Sequence, residues 1–184
     1  MATQRELVER AGGGDAAAFD ALARTAIDRM YAIAHRVLRD PHLAEDAVQQ
    51  ALWGAWRDLP NLREPERFDA WLRRLLVRCC YEEARKQRRS PTVTLLSFDT
   101  PSTLDGSSGV ADRDALDRAF RRLGPEHRIV VVLHHYEGIP LVEIADTLGI
   151  PVGTARSRLH YALKRLREAL EADASGGRTD ERTA

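Results

Sequence analysis

Cysteine is scarce in this chain of 184 residues: two in all, side by side at Cys79 and Cys80. Neighbouring cysteines make neither a disulfide framework nor a zinc site, and they read as two small apolar side chains on one helix. Long apolar runs are lacking too. None approaches the roughly 20 residues that span a bilayer, and the opening MATQREL has no signal-peptide core. No membrane partner is expected, and the chain is expected to be cytoplasmic and reduced. Charge of one sign is also missing, because 28 Lys and Arg balance 28 Asp and Glu. The chain as a whole is therefore not a basic nucleic-acid binder. Nor is there a nucleophile beside a base, a phosphate-cradling glycine loop or a metal-ligand spacing. No enzyme chemistry, no metal and no cofactor are expected, and binding is the function class left.

What is present centres on Pro140 to Leu170, PLVEIADTLGIPVGTARSRLHYALKRLREAL. Leu141, Ile144, Ala145 and Leu148 fall on one face of a short helix. Gly149 then offers the left-handed conformation that ends helices, and Pro151 suits the opening of the next. Ala155, Leu159, Ala162, Leu163, Leu166 and Leu170 line one face of a longer helix. Helix, tight glycine turn, helix is the helix-turn-helix pattern, whose second helix can enter a major groove. Its outward face carries Thr154, Arg156, Ser157, Arg158, His160, Tyr161, Lys164, Arg165 and Arg167. From Pro151 to Arg167 there are five Arg or Lys and no Asp or Glu. Arginine matches the paired acceptors of guanine and also grips phosphates. Those charges alone would equally suit a solvated amphipathic helix; the preceding helix and the Gly149 turn favour DNA contact.

The chain opens with a short helix, Thr3 to Ala11, in which Thr3 and Glu6 have capping-box spacing, stopped by Gly12 to Gly14. Asp15 can cap the second helix, where Phe19, Leu22, Ala23, Ala26, Met30, Ala34, Val37 and Leu38 form an apolar stripe. Asp40-Pro41 is a cap followed by first-turn proline. The third helix, about Pro41 to Leu59, turns Val48, Ala51, Leu52, Ala55, Trp56 and Leu59 inward. On its other side lie Asp46, Gln49, Gln50 and Trp53. Such a tryptophan is either packed on a neighbouring helix or part of a docking site, where tryptophan is enriched. After the polar loop PNLREP, a fourth helix puts Phe68, Trp71, Leu72, Leu75 and Cys79 on one face and Arg73, Arg74, Arg78 and Arg85 on the other. It ends in RKQRR, which suits either a solvated helix end or unpaired nucleic acid.

Local charge contradicts the zero total. Residues 61–90 hold nine Arg or Lys against five Asp or Glu, and residues 91–112 hold three Asp and no basic residue. Hydrophobic periodicity vanishes from Ser90 to Ala111, which marks a flexible linker and the domain boundary. Asp112 can cap a helix with Leu116, Phe120 and Leu123. Gly124-Pro125 opens the next, and the β-branched run Ile129 to Val132 reads as helix because Gly138 ends it and helices flank it. The fold class expected is all-α: two small helical domains, 1–90 and 112–172, joined by a linker over 91–111, with a disordered tail over 173–184.

Three segments in this order resemble the extracytoplasmic-function (ECF) group of bacterial RNA polymerase sigma factors, over about residues 10–170. AEDAVQQALWGAW resembles the family's polymerase-docking helix, which implies core RNA polymerase as partner through Asp46, Gln49, Gln50 and Trp53. RFDAWLRRLLVRCCYEEARKQRR resembles its melting and minus-ten segment. That resemblance implies contact with melted promoter DNA by Arg63, Arg67, Phe68, Asp69, Trp71, Arg74 and Arg78. The stretch from Gly124 to Leu170 resembles the domain that reads duplex DNA near minus thirty-five, which implies base and phosphate contacts by Thr154, Arg156, Ser157, Arg158, His160, Tyr161 and Lys164. Many relatives are held by an anti-sigma protein, a further candidate partner. Two departures stand out. Gln49-Gln50 replaces the usual Gln-Glu, and Val77-Arg78 with Glu82 replaces an Arg-Asn pair followed by aspartate. The alternative reading is a helix-turn-helix regulator with a helical sensor domain. An enzyme acting on nucleic acid would need Tyr161 as nucleophile, which its place on the recognition helix disfavours.

Overall fold

The computed structural model describes the backbone of residues 2–89 and 109–180, with side chains over 2–87 and 115–172. All regular structure among the described residues is helical. Eight helices follow in order: α1 (Gln4–Gly12), α2 (Ala16–Leu38), α3 (Pro41–Asp58), α4 (Phe68–Arg89), α5 (Gly109–Arg121), α6 (Pro125–Val131), α7 (Leu141–Leu148) and α8 (Val152–Asp180). α1 to α4 form the first unit and α5 to α8 the second.

Local chemistry sets most helix ends. Thr3 and Glu6 exchange side-chain and backbone bonds in a capping box at α1. The Asp15 carboxylate accepts from the backbone N–H groups of Ala17 and Ala18, and Asp40 accepts from those of His42 and Leu43, with Pro41 in the first turn. Each such cap is worth about 1 kcal/mol. Gly149 ends α7 at φ 63°, the left-handed conformation that the turn requires. The β-branched run is helical, as expected: Ile129, Val130, Val131 and Val132 are all buried. The sequence does not announce that α6 passes into a wider, π-type turn over Val132–Tyr136, closed by a bond from the Ile139 N–H to the Leu133 carbonyl.

Two ends differ from expectation. α5 begins at Gly109, so Asp112 lies within the helix and does not cap it. Of the expected linker, residues 91–108 lie outside the described residues and 109–111 open α5. Of the tail expected from residue 173, residues 173–180 are the last turns of α8, and 181–184 lie outside the described residues.

In the first unit α3 packs between α2 and α4. Ala44, Ala47, Val48, Ala51 and Ala55 are buried along it, and Phe19 of α2 meets the Trp56 ring edge-on at 5.0 Å. From α4, Leu72, Leu76, Val77 and Cys80 are buried. In the second unit α8 packs on α5, α6 and α7, burying Ala155, Leu159, Ala162 and Leu166. Buried apolar residues of both units belong to one continuous cluster, because α4 also touches α7 and α6, and α2 touches α6.

Ion pairs rim that contact. Arg29 meets Glu137 at 2.5 Å, Arg74 meets Asp146 at 2.5 Å, Arg73 meets Glu143 at 3.8 Å, and Arg39 pairs with Asp117. The Arg36 guanidinium sits 3.6 Å from the Tyr136 ring centre. Solvent-exposed pairs contribute only about 0.2–1 kcal/mol each. The exception in kind is Glu137, whose side chain is 4% exposed and so depends on its arginine.

Cys79 and Cys80 are free thiols. Burial pushes the Cys80 pKa up to about 12, so it stays protonated and packs as a small apolar group. Leu76, one turn earlier and fully buried, should cost about 2–5 kcal/mol on replacement by alanine. Urea denaturation of Leu76→Ala measures this, and a loss under about 1 kcal/mol would show that the α4 core face is misplaced. In the native chain a maleimide should modify half-buried Cys79 well before Cys80; equal rates would contradict the burial of Cys80.

Candidate docking face and nucleic-acid interface

The first candidate surface lies on α3, on the side away from its buried alanines. Asp46, Gln49 and Trp53 are all exposed, at i, i+3 and i+7, and so form one stripe. Trp53 is 71% exposed. A free-standing indole of that exposure belongs to no core and is the kind of side chain that anchors interfaces.

Gln50 does not join them. Its side-chain amide donates to Glu83 of α4 at 2.7 Å, and Lys86 donates to the same carboxylate at 2.5 Å. Glu83 is 3% exposed. A carboxylate so buried must be hydrogen-bonded or paired. Gln50, four positions from Asp46, is half-buried on the flank of the stripe that meets α4.

The second surface runs from the α3–α4 loop along α4. Arg63, Arg67, Asp69, Arg74 and Arg78 are exposed, and Trp71 is half-buried. Arg67 pairs with Glu64 at 2.7 Å, Arg78 with Glu82 at 3.1 Å, and Asp69 accepts from the Gln4 amide at 2.8 Å. Two expectations change. Phe68 is 2% exposed, with its ring centre 6.0 Å from that of Trp71; it supports Trp71 from the core and offers no surface of its own. Arg73, expected on the exposed side, has a side chain only 13% exposed, and burial pushes its pKa down. The second unit covers it.

The third surface is the outward face of α8. Arg156, Ser157, His160, Tyr161 and Lys164 are exposed, and Thr154 and Arg158 are half-buried. Ser157 donates its hydroxyl to the Thr154 carbonyl at 3.0 Å, a local bond that water or a phosphate can replace. Tyr161 leans on His127 of α6, with ring centres 4.7 Å apart, and the Arg165 guanidinium lies 5.9 Å from its ring. Arg165 and Lys164 both approach Glu168, at 3.5 and 3.9 Å. Arg158 lies by Tyr81 of α4: burial pushes the Tyr81 phenol pKa up, and the nearby Arg158 charge opposes that shift. Leu163, expected inward, is exposed, and Ala169 is buried in its stead.

What the sequence reading missed is the pair Glu143 and Asp146 on α7. They reach Arg73 and Arg74 of α4. The available signal was their i, i+3 spacing beside the inward Ile144 and Ala145. Among the described residues no group of three or more His, Cys, Asp or Glu is placed to hold a metal, and no helix is long and apolar enough to cross a membrane.

Comparison with known proteins divides the chain as the geometry does. Residues 22–90 match Sigma-70 region 2, and residues 119–168 match Sigma-70, region 4. The chain is 37% identical over 163 residues to an RNA polymerase sigma-E factor of Streptomyces avermitilis, covering 86% of this chain and 88% of that protein. It is 32% identical over 165 residues to the ECF RNA polymerase sigma factor SigM of Mycobacterium tuberculosis, covering 90% and 83%. Among solved structures it is similar to the sigma factor RpoE in complex with the anti-sigma factor NepR from Bartonella quintana. There the TM-score is 0.67 at 25% identity, over 84% of this chain and 98% of that one. The fold is shared with CnrH, solved with the cytosolic domain of CnrY, at TM-score 0.65 and 24% identity over 92% and 98%.

The two glutamines of α3 should separate in a stability measurement. Gln50→Leu removes one donor to buried Glu83 and should cost about 1–3 kcal/mol. Gln49→Ala, on the exposed stripe, should stay within about 0.5 kcal/mol of wild type. Chemical denaturation of both decides it; equal effects would show that the Gln50–Glu83 bond contributes nothing to the fold.

Proposed function

The chain belongs to the extracytoplasmic-function group of RNA polymerase sigma factors, and on that premise we propose how its surfaces divide the work. As a sigma factor it binds core RNA polymerase and directs promoter recognition and transcription initiation. The observation that carries the division of roles is the presence, on one chain, of an exposed Asp46/Gln49/Trp53 stripe and a basic recognition helix behind a glycine turn.

In this reading the α3 stripe docks on core polymerase. Trp53 supplies the apolar anchor, and Asp46 and Gln49 supply polar complementarity around it. Residues 1–90 act as sigma region 2. Arg63, Arg67, Asp69 and Trp71 at the head of α4 form the pocket for unpaired minus-ten bases, and Arg74 and Arg78 follow the strand's phosphates. Unpairing costs a few kcal/mol per flipped base, which stacking and charge contacts in that pocket must offset. Residues 112–172 act as region 4. Arg156, Ser157 and His160, near the N-terminal end of α8, reach base edges near minus thirty-five, with Thr154 and Arg158 at the groove's edge. Tyr161 and Lys164 meet the backbone. The two readers lie on one chain, which raises the effective concentration of the second once the first is bound.

The role requires no catalytic group of the chain's own, so the protein is proposed to be a non-enzymatic initiation factor. Its place is the cytoplasm, where polymerase and promoter are. RpoE was solved with an anti-sigma factor, and an anti-sigma protein is proposed as a partner here as well.

Asp46→Arg combined with Gln49→Ala should abolish co-purification with core polymerase while thermal unfolding stays at wild type; undiminished co-purification would remove the stripe from the docking role. On the recognition helix, Arg156→Ala should cost about 1–3 kcal/mol on the preferred site and relax choice at one base pair. Lys164→Ala should weaken all sequences alike and flatten the salt dependence by about one unit of log–log slope. Binding of reconstituted holoenzyme to single-base promoter variants across a salt series tests both. A uniform loss with Arg156→Ala would make it a phosphate contact.

A further inference from the structure

Tyr161 stands on the outward face of α8, 48% exposed, but it does not stand alone. The His127 ring of α6 lies 4.7 Å from it, centre to centre, at a tilt of 41°. The Arg165 guanidinium lies 5.9 Å from the phenol ring. These two neighbours hold it unequally. Arg165 is exposed and is also drawn to Glu168 at 3.5 Å. His127 has a side chain only 21% exposed, with the Glu126 carboxylate 3.6 Å from its Nδ1. Its backbone is pinned as well. The His127 N–H donates to the Gly124 carbonyl at 3.0 Å, Pro125 sits in the first turn of α6, and Ile129 and Val130 just after it are wholly buried. On the other side Ala162, next to Tyr161, is wholly buried, where α6 packs on α8. Both rings therefore ride on fixed backbone.

We propose that His127 is a positioning residue for promoter binding: its ring holds the Tyr161 side chain in one orientation, so that the phenol hydroxyl is already placed for a DNA phosphate when α8 enters the groove. This rests on the reading of Tyr161 as a backbone contact. The physical reason is preorganisation. An unsupported phenol on a helix surface loses rotamer freedom when it binds, and that loss offsets the hydrogen bond it gains. A ring pair at this separation is favourable by itself, so the ordering is complete in the folded chain before DNA arrives. α6 thereby takes part in recognition without touching DNA, and the reading surface is built from two helices. A phenol is neutral. Its phosphate contact adds affinity without the counterion release that a lysine contact brings, which separates the His127–Tyr161 pair from Lys164 in a salt series.

The test measures binding of reconstituted holoenzyme to a duplex promoter fragment taken from a mapped start site, across a salt series. Tyr161→Phe keeps the ring pair and removes the hydroxyl; it should weaken binding about tenfold. His127→Ala keeps the hydroxyl and removes its support; it should weaken binding about threefold to tenfold. Neither should change the salt slope. His127→Phe restores a ring and should bind as wild type, which guards against a His127→Ala chain that merely folds poorly. In a Tyr161→Phe background, His127→Ala should cost less than about a further twofold, because the contact it serves is already gone. Full cost in that background, a salt slope flattened by about one unit in His127→Ala, or binding of His127→Phe as weak as that of His127→Ala overturns the positioning. Wild-type binding by Tyr161→Phe would remove Tyr161 from the backbone contacts, and the positioning with it. A weakened Tyr161→Phe beside an unchanged His127→Ala removes the positioning alone.

Discussion

The burial of one small-residue stripe on α3 is the constraint from which the rest follows. Ala44, Ala47, Ala51 and Ala55 are almost wholly inaccessible, and they are spaced to stay on one helical face over more than three turns. Side chains this small let α3 lie close between α2 and α4. That closeness brings Gln50 within reach of Glu83 across the helix pair. With one face fixed inward, the opposite face has no choice but to present Asp46, Gln49 and Trp53. The same packing fixes the rotation of α4: Leu72, Leu76 and Cys80 point into the core, so Arg74 and Arg78 point out. The proposed docking stripe and the proposed strand-binding edge are therefore two consequences of one packed seam.

The second unit repeats the logic on a smaller scale. The Gly149 turn sets the angle between α7 and α8, and the buried face of α8 leaves its basic face outward. A protein with balanced total charge still binds an anionic polymer because its cations are gathered on two edges, while its acids serve as helix caps, as local partners, or as partners of the α4 arginines across the contact between the units. Bulk charge cancels and surface charge does not.

How much of this was legible depends on the range of the interaction. The caps at Thr3, Asp15 and Asp40 and the turn at Gly149 were readable because each involves residues within a few positions of one another. The Ile129 to Val132 run was readable as helix only from its flanks, since β-branched residues favour strands by themselves. A helical wheel also found the inward stripes of α2 and α3. It failed at Gln50 and Arg73 for a common reason: a wheel separates inside from outside but does not say which flank another helix covers; Phe68 it placed on the apolar face of α4, where it is buried. Gln50 is claimed by a buried acid 33 positions away, and Arg73 by the other unit. The π-type turn after α6 and the early start of α5 carried no local residue signal.

The central claim is that this chain selects where transcription begins. Core RNA polymerase reconstituted with the purified protein, given genomic DNA and nucleotides, tests it most directly when transcript 5′ ends are mapped. A small set of fixed start sites is expected, sharing upstream sequence near minus ten and minus thirty-five and vanishing when the protein is omitted. Initiation no different from that of core polymerase alone would contradict it.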